Sequence, residues 1–242
     1  MTLAPVVTVE VRTHLADFSA GMSNAALVQC DDGQKYVIKP AKLGRALVAE
    51  HVVGRLGRRI GAPCMEVAFA QVQPALIALD PKLARFAGGI AHATVYVPNV
   101  IEHRGVQHAQ FPQNRERFVR LLILYSWMLA SDHQFMYELT APHLVHSHDH
   151  GLFFAGNHHW TEHTLGAATA VQLDPVLSTI GFAAWELKEA IRDLRTVTEL
   201  EIAEATGWVP ADWNVPVADL TALTDYLRSR RTNFLAMIDG MP

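Results

Sequence analysis

Residues 23–63 read SNAALVQCDDGQKYVIKPAKLGRALVAEHVVGRLGRRIGAP, and their order decides the fold. Two short apolar runs, 25–30 and 35–39, flank Asp31-Asp32-Gly33, a hairpin signal, and Pro40 closes the second run. From 45 to 60, Leu47, Val48, Val52, Val53, Leu56 and Ile60 recur at helical spacing, and Gly61-Ala62-Pro63 ends the helix. This is a strand hairpin feeding a helix with one side against a core.

Outward from that stretch, 65–72 and 93–97 read as further strands, and beyond Phe111 the pattern turns helical. Residues 115–130 give the strongest helix, followed by a loop-rich centre (131–174) dense in histidine and glycine. Helices are expected over 179–194, 198–205 and 217–238. A β-rich front (1–100) and a mostly helical back (101–242) define an α+β fold, with a cleft expected between two lobes.

Composition bounds the function. Half of the 242 residues are hydrophobic and 18% are charged, which suits one compact core or two small ones. A net charge of -4 gives no global attraction to nucleic acid or membrane. Cys30 and Cys64 lie far apart, so neither a disulfide framework nor a thiolate metal site is expected, in keeping with a reducing cytoplasm. No signal-peptide pattern opens the chain, and the apolar segment 121–130 is too short for a bilayer.

Four residues stand where chemistry needs them. Lys39 ends Tyr36-Val37-Ile38-Lys39, three apolar residues and a lysine. Strand alternation puts Val37 and Lys39 on one face, so a small side chain could floor an adenine site while the ammonium reaches phosphates. A solvated strand-end charge is the plainer alternative. Glu50 lies eleven residues on, in a helix with an apolar side, where a buried carboxylate needs a cation; a solvent-facing glutamate is the alternative. Asp149 opens Asp149-His150-Gly151 after a short apolar run, the Asp-x-Gly form of a divalent-metal ligand and equally of a β-turn. Asp132 follows the long helix, at the place of a general base or of a helix-boundary cap.

In that order, these motifs resemble the short HipA-like kinase family of the wider protein-kinase and phosphoinositide-kinase-like superfamily. The D-D-G hairpin, the strand ending in Lys39, L-V-A-E opening the helix and G-A-P ending it carry the likeness, with His148-Asp149-His150-Gly151 and the closing helix around Arg230-Arg231. The resemblance implies ATP and Mg²⁺ as cofactors, with phosphoryl transfer to a Ser/Thr hydroxyl of a protein. It implies Lys39 on the phosphates with Glu50 as its partner, Asp132 as base and Asp149 as metal ligand. The loop Gly21-Met22-Ser23-Asn24 would cover the phosphates, and the adenine would sit by Val37 and the 97–100 connection that begins at Val97. Toxin activity, which belongs to larger HipA proteins, is not carried over.

The family has asparagine five residues after the base, as a second metal ligand; here that position is Tyr137, with Gln134 and Glu138 as substitutes. A nucleotide-binding pseudokinase is therefore the second reading. A third arises from His146, His148 and His150, which would share one face of an alternating strand as ligands of a metal hydrolase. The five tryptophans are expected to fill the core of the back half.

Overall fold

The computed structural model describes residues 3–18 and 23–241. Most strands lie in the N-terminal half and most helices in the C-terminal half, a mixed α+β chain. Five strands close into a barrel: β1 (Thr8–Phe18), β2 (Ala25–Cys30), β3 (Lys35–Lys39), β4 (Val67–Gln71) and β5 (Ala91–Val95). Neighbours run antiparallel in the order β1-β2-β3-β5-β4, and β4 closes the ring parallel to β1. Closure leaves no free sheet edge among them. Tyr36 and Ile38 point into the barrel with Val28, Ala68 and Ala93, and Val37 and Lys39 point out.

The helix α1 (Arg45–Arg59) is buried almost all round, from Leu47 to Gly57. Gly61, at φ 72°, stops it: Ala62 N–H donates to Gly57 C=O and Gly61 N–H to Arg58 C=O, a Schellman end that glycine adopts without strain. Gly57 lets α1 approach its neighbours, because a Cβ there would stand 2.6 Å from Cys64 Sγ and 2.9 Å from Leu124 Cδ2. The core of α1 is shared with the C-terminal helices, not with the barrel interior.

After the short α2 (Pro74–Leu79), a second sheet orders β6 (Val100–His103), β7 (Phe135–Glu138) and β8 (Val145–Ser147). The helix α3 (Pro112–Met128) runs behind it, buried from Phe118 onward. The rest is α4 (Glu162–Gly166), α5 (Pro175–Ser178), α6 (Ala184–Arg195), α7 (Glu199–Gly207) and α8 (Val217–Asp239). No described helix is long and apolar enough to cross a membrane.

Three expectations change. The loop-rich centre holds β7 and β8, too short to show a period. The helix expected over 179–194 starts at Ala184, because Gly181 at φ 71° separates it from α5. Trp127, Trp160 and Trp213 fill the core, whereas Trp185 is 70% exposed and Trp208, 40% exposed, lies under the Arg55 guanidinium.

Candidate active site

Lys39 leaves the outer face of β3 and meets two carboxylates. Its Nζ donates to Glu50 Oε1, on the second turn of α1, and at 2.8 Å to Asp149 Oδ1. Burial alone would depress the ammonium's pKa, but Glu50 and Asp149 outweigh it and hold the group above its ordinary range. Burial would likewise raise Glu50, yet Lys39 and the backbone N–H of His150 hold its carboxyl below its usual value. Glu50 is 4% exposed, so the solvent-facing alternative is excluded, and so is a solvated Lys39.

The Asp149 side needs a close turn. Ser147 N–H donates to Pro63 C=O at 2.9 Å, tying the end of β8 to the residues just past α1. Asp149 then adopts φ 56°, and the 150–152 turn packs on α1. A Cβ at Gly151 would stand 3.4 Å from Ala46 Cβ and 3.5 Å from Glu50 Oε1, in ordinary contact with α1.

Asp132 lies on the loop that enters β7. Phe135 pairs with Ser147 across β7 and β8, so the loops holding Asp132 and Asp149 leave the same end of that hairpin. Gln134 Nε2 donates to Asp132 Oδ2 at 2.6 Å, and Gln134 C=O accepts the His148 N–H. His133, next to Asp132, pairs with the buried Asp174 at 2.8 Å. Sequence reading missed both contacts; Asp174-Pro175, a helix-start signal, was the available hint.

The remaining expected residues lie on β3, on the β5–β6 connection and on the β1–β2 turn. Val37 is half-buried, paired with Leu27 on β2 and Thr94 on β5. Val97 is half-buried in the connection between β5 and β6. Ser23 and Asn24 begin the described part of the β1–β2 turn, and Asn24 C=O accepts from Arg85 at 2.8 Å. Gly21 and Met22 lie outside the described residues.

Tyr137 does not face Asp149. It is buried on the α3 side of β7, its hydroxyl donating to Gly105 C=O and accepting the Gln107 N–H, both at 2.9 Å. Burial pushes the phenol up to about 12, so it stays protonated near neutrality. Glu138, one candidate substitute, is engaged by His146 at 3.0 Å. The three-histidine face is also corrected: β8 ends at Ser147, so the alternation breaks before His150. His150 instead meets Ser147 Oγ at 2.7 Å, and burial pushes its pKa down to about 3. Among the described residues no group of three or more His, Cys, Asp or Glu could hold a metal ion.

His92 pairs with Lys39 across β3 and β5, and it is buried against His51, Phe69 and Trp213. Phe69 pairs with it across β4 and β5. Burial, reinforced by Lys39 and His150, pushes its pKa from 6.5 down to about 3. The unfolded chain therefore takes a proton below about pH 6.5 that the folded chain refuses until about pH 3. Stability from this group is whole above 6.5 and is lost as the pH falls, by up to about 1.4 kcal/mol per pH unit. Urea unfolding of His92→Phe should show a shallower fall between pH 6 and pH 4. An unchanged slope would assign the acid sensitivity elsewhere.

A strand lysine, a helix glutamate, a buried helix leading to a loop aspartate, and an Asp-x-Gly turn follow one another along the chain. A family model for the HipA-like kinase matches residues 9–154, and the chain belongs to that family. The crystal structure of a Helicobacter pylori proinflammatory kinase, CtkA, aligns at 8% identity with a TM-score of 0.65, covering 98% of this chain and 100% of that one. At that identity the match shows the fold. A Golgi casein kinase aligns at 11% identity with a TM-score of 0.45, covering 99% of this chain and 75% of that one. No curated protein sequence matches the chain.

Proposed function

We propose that this chain is an ATP-dependent phosphotransferase acting on a Ser/Thr hydroxyl of a protein, with Mg²⁺ as the divalent ion. The barrel and the helical half act as two lobes dividing near residue 100, and the nucleotide lies between them. The observation that carries the reading is the Lys39–Glu50–Asp149 group: one buried ammonium held between two carboxylates from three distant elements. A structural ion pair needs one carboxylate. The second places a hard oxygen ligand beside a phosphate-binding cation, as phosphoryl transfer requires.

In this reading Lys39 holds the α- and β-phosphates, Glu50 fixes Lys39, and Leu27, Val37 and Thr94 face the adenine with Val97 beyond them. The residues fit a Mg²⁺ ion, since Asp149 offers carboxylate oxygen and Mg²⁺ usually takes one or two protein carboxylates with phosphates and water. When bound, the ion neutralises charge developing on the transferred phosphoryl group. Asp132 takes the proton of the acceptor hydroxyl. That oxygen bonds to the γ-phosphorus, the bond to the bridging oxygen breaks, and ADP leaves. The two buried, unpaired cysteines suit a reducing compartment, and a cytoplasmic location is part of this proposal.

A nucleotide-binding pseudokinase is the second reading, favoured by Tyr137 facing the core where the family has its second metal-binding side chain. One experiment tests what both share. Thermal unfolding with Mg²⁺ and ATP at about a hundred times Kd should show about 2.7 kcal/mol of added stability. Asp149→Ala should lose most of the Mg²⁺-dependent part. If ATP moves neither melting temperature at any concentration, both readings fall.

A further inference from the structure

Asp174 is buried, at 4% exposure, and makes more bonds than its position in the fold requires. Its N–H donates to Ser126 Oγ on the last turns of α3 at 2.8 Å. Its Oδ1 accepts the Leu177 N–H at 2.9 Å, capping α5. Its Oδ2 meets His133 Nε2 at 2.8 Å. Capping needs one oxygen, which serine supplies as well, and α5 has four residues. Burying a carboxylate for that end alone would be poor use of a costly group. The second oxygen points at the loop that carries Asp132.

The frame around this contact is fixed. Ser126 is held by Leu122 C=O, and the buried Arg230 guanidinium donates to Ser126 C=O at 2.6 Å and Trp127 C=O at 2.7 Å. The His133 ring lies against Tyr125, centroids 5.3 Å apart, with Phe135 beyond. Because His133 follows Asp132 directly, holding its ring sets the direction in which the Asp132 side chain leaves the backbone. From the other side, Gln134 occupies Asp132 Oδ2.

We infer that Asp174, through His133, is a positioning residue that holds Asp132 in line with the acceptor hydroxyl. The inference rests on the phosphoryl-transfer reading above. Misplacing a reacting group by about 1 Å costs on the order of a hundredfold in rate, whereas the Asp174 side chain bonds to His133 and Leu177 and not to Lys39, Glu50 or Asp149.

The test separates the cap from the anchor. Asp174→Ser keeps an acceptor for the Leu177 N–H and removes the partner of His133. Its kcat for phosphate transfer should fall about a hundredfold, with KM for ATP and the ATP-induced thermal shift within about twofold of wild type. His133→Phe, which keeps an aromatic ring against Tyr125 and loses the donor, should fall to the same degree, and His133→Gln, which restores an N–H, should recover most of the rate. Should Asp174→Ser not fold, the His133 pair carries the same comparison. A kcat within twofold of wild type in Asp174→Ser or His133→Phe would overturn the inference, as would equal losses in His133→Phe and His133→Gln. Wild-type protein that binds ATP but transfers no phosphate would instead overturn the reading beneath it, and this inference with it.

Discussion

Lys39→Ala is expected to lose phosphate transfer and folded stability together, and a second substitution should separate the two. Removing the ammonium leaves Glu50, 4% exposed, without its cation. Breaking a buried pair on one side costs about 3–5 kcal/mol, more than the pair contributes when intact, because the surviving charge stays desolvated. Lys39→Ala should therefore unfold at clearly lower urea. Adding Glu50→Gln removes the stranded charge and should recover about half of that loss. It should not recover function, because the phosphates still lack their cation. Transfer should stay about 10²–10³-fold below wild type, the size seen when one preorganised charge-stabilising group is removed from an active site. In the wild type Lys39 is held above its ordinary pKa and remains charged throughout any neutral assay, so the phosphates always meet a cation there. Wild-type transfer by the doubly substituted protein would show that the pair is only structural.

The sequence was most legible where local signals agreed. The hairpin of β2 and β3 falls on its expected residues because Asp-Asp-Gly and Pro40 bound it on both sides. The helix α1 ends one residue short of the expected Ile60, since Gly61 supplies the positive φ that its end requires. Lys39, Glu50 and Asp149 were each ambiguous alone, and only their order suggested that they meet. Their contact spans 110 residues, which no local pattern encodes. The parts that were not legible depend on tertiary partners. β7 and β8 have four and three residues, too few for a period to emerge. The Asp174–His133 contact joins two segments across 41 residues, and the Asp174-Pro175 helix-start signal marks a cap without pointing to His133. The Tyr137 substitution was visible, but not that its side chain turns inward; that follows from the burial alternation Phe135, Tyr137 set by packing on α3.

Asp132→Asn separates an active kinase from a pseudokinase, and the geometry sets the expected result. Asparagine matches the shape of aspartate and can still meet Gln134, provided one of the two amides turns to offer its oxygen. Fold and ATP-induced stabilisation should therefore match wild type. What asparagine cannot do is accept the proton of an acceptor hydroxyl. General-base catalysis contributes about 10²–10⁴-fold, so kcat for transfer should fall within that span while KM for ATP stays close to wild type. Tyr137 bears on the absolute rate, not on this difference: its hydroxyl is spent on Gly105 and Gln107 inside the fold, so it neither assists nor obstructs a proton transfer at Asp132. If the protein is a pseudokinase, wild type and Asp132→Asn will bind ATP alike and transfer equally little phosphate. Radiolabelled γ-phosphate transfer measured for both proteins at saturating ATP decides the matter. A wild-type rate above that of Asp132→Asn by a hundredfold or more assigns the base, and equal rates with intact ATP binding assign the pseudokinase.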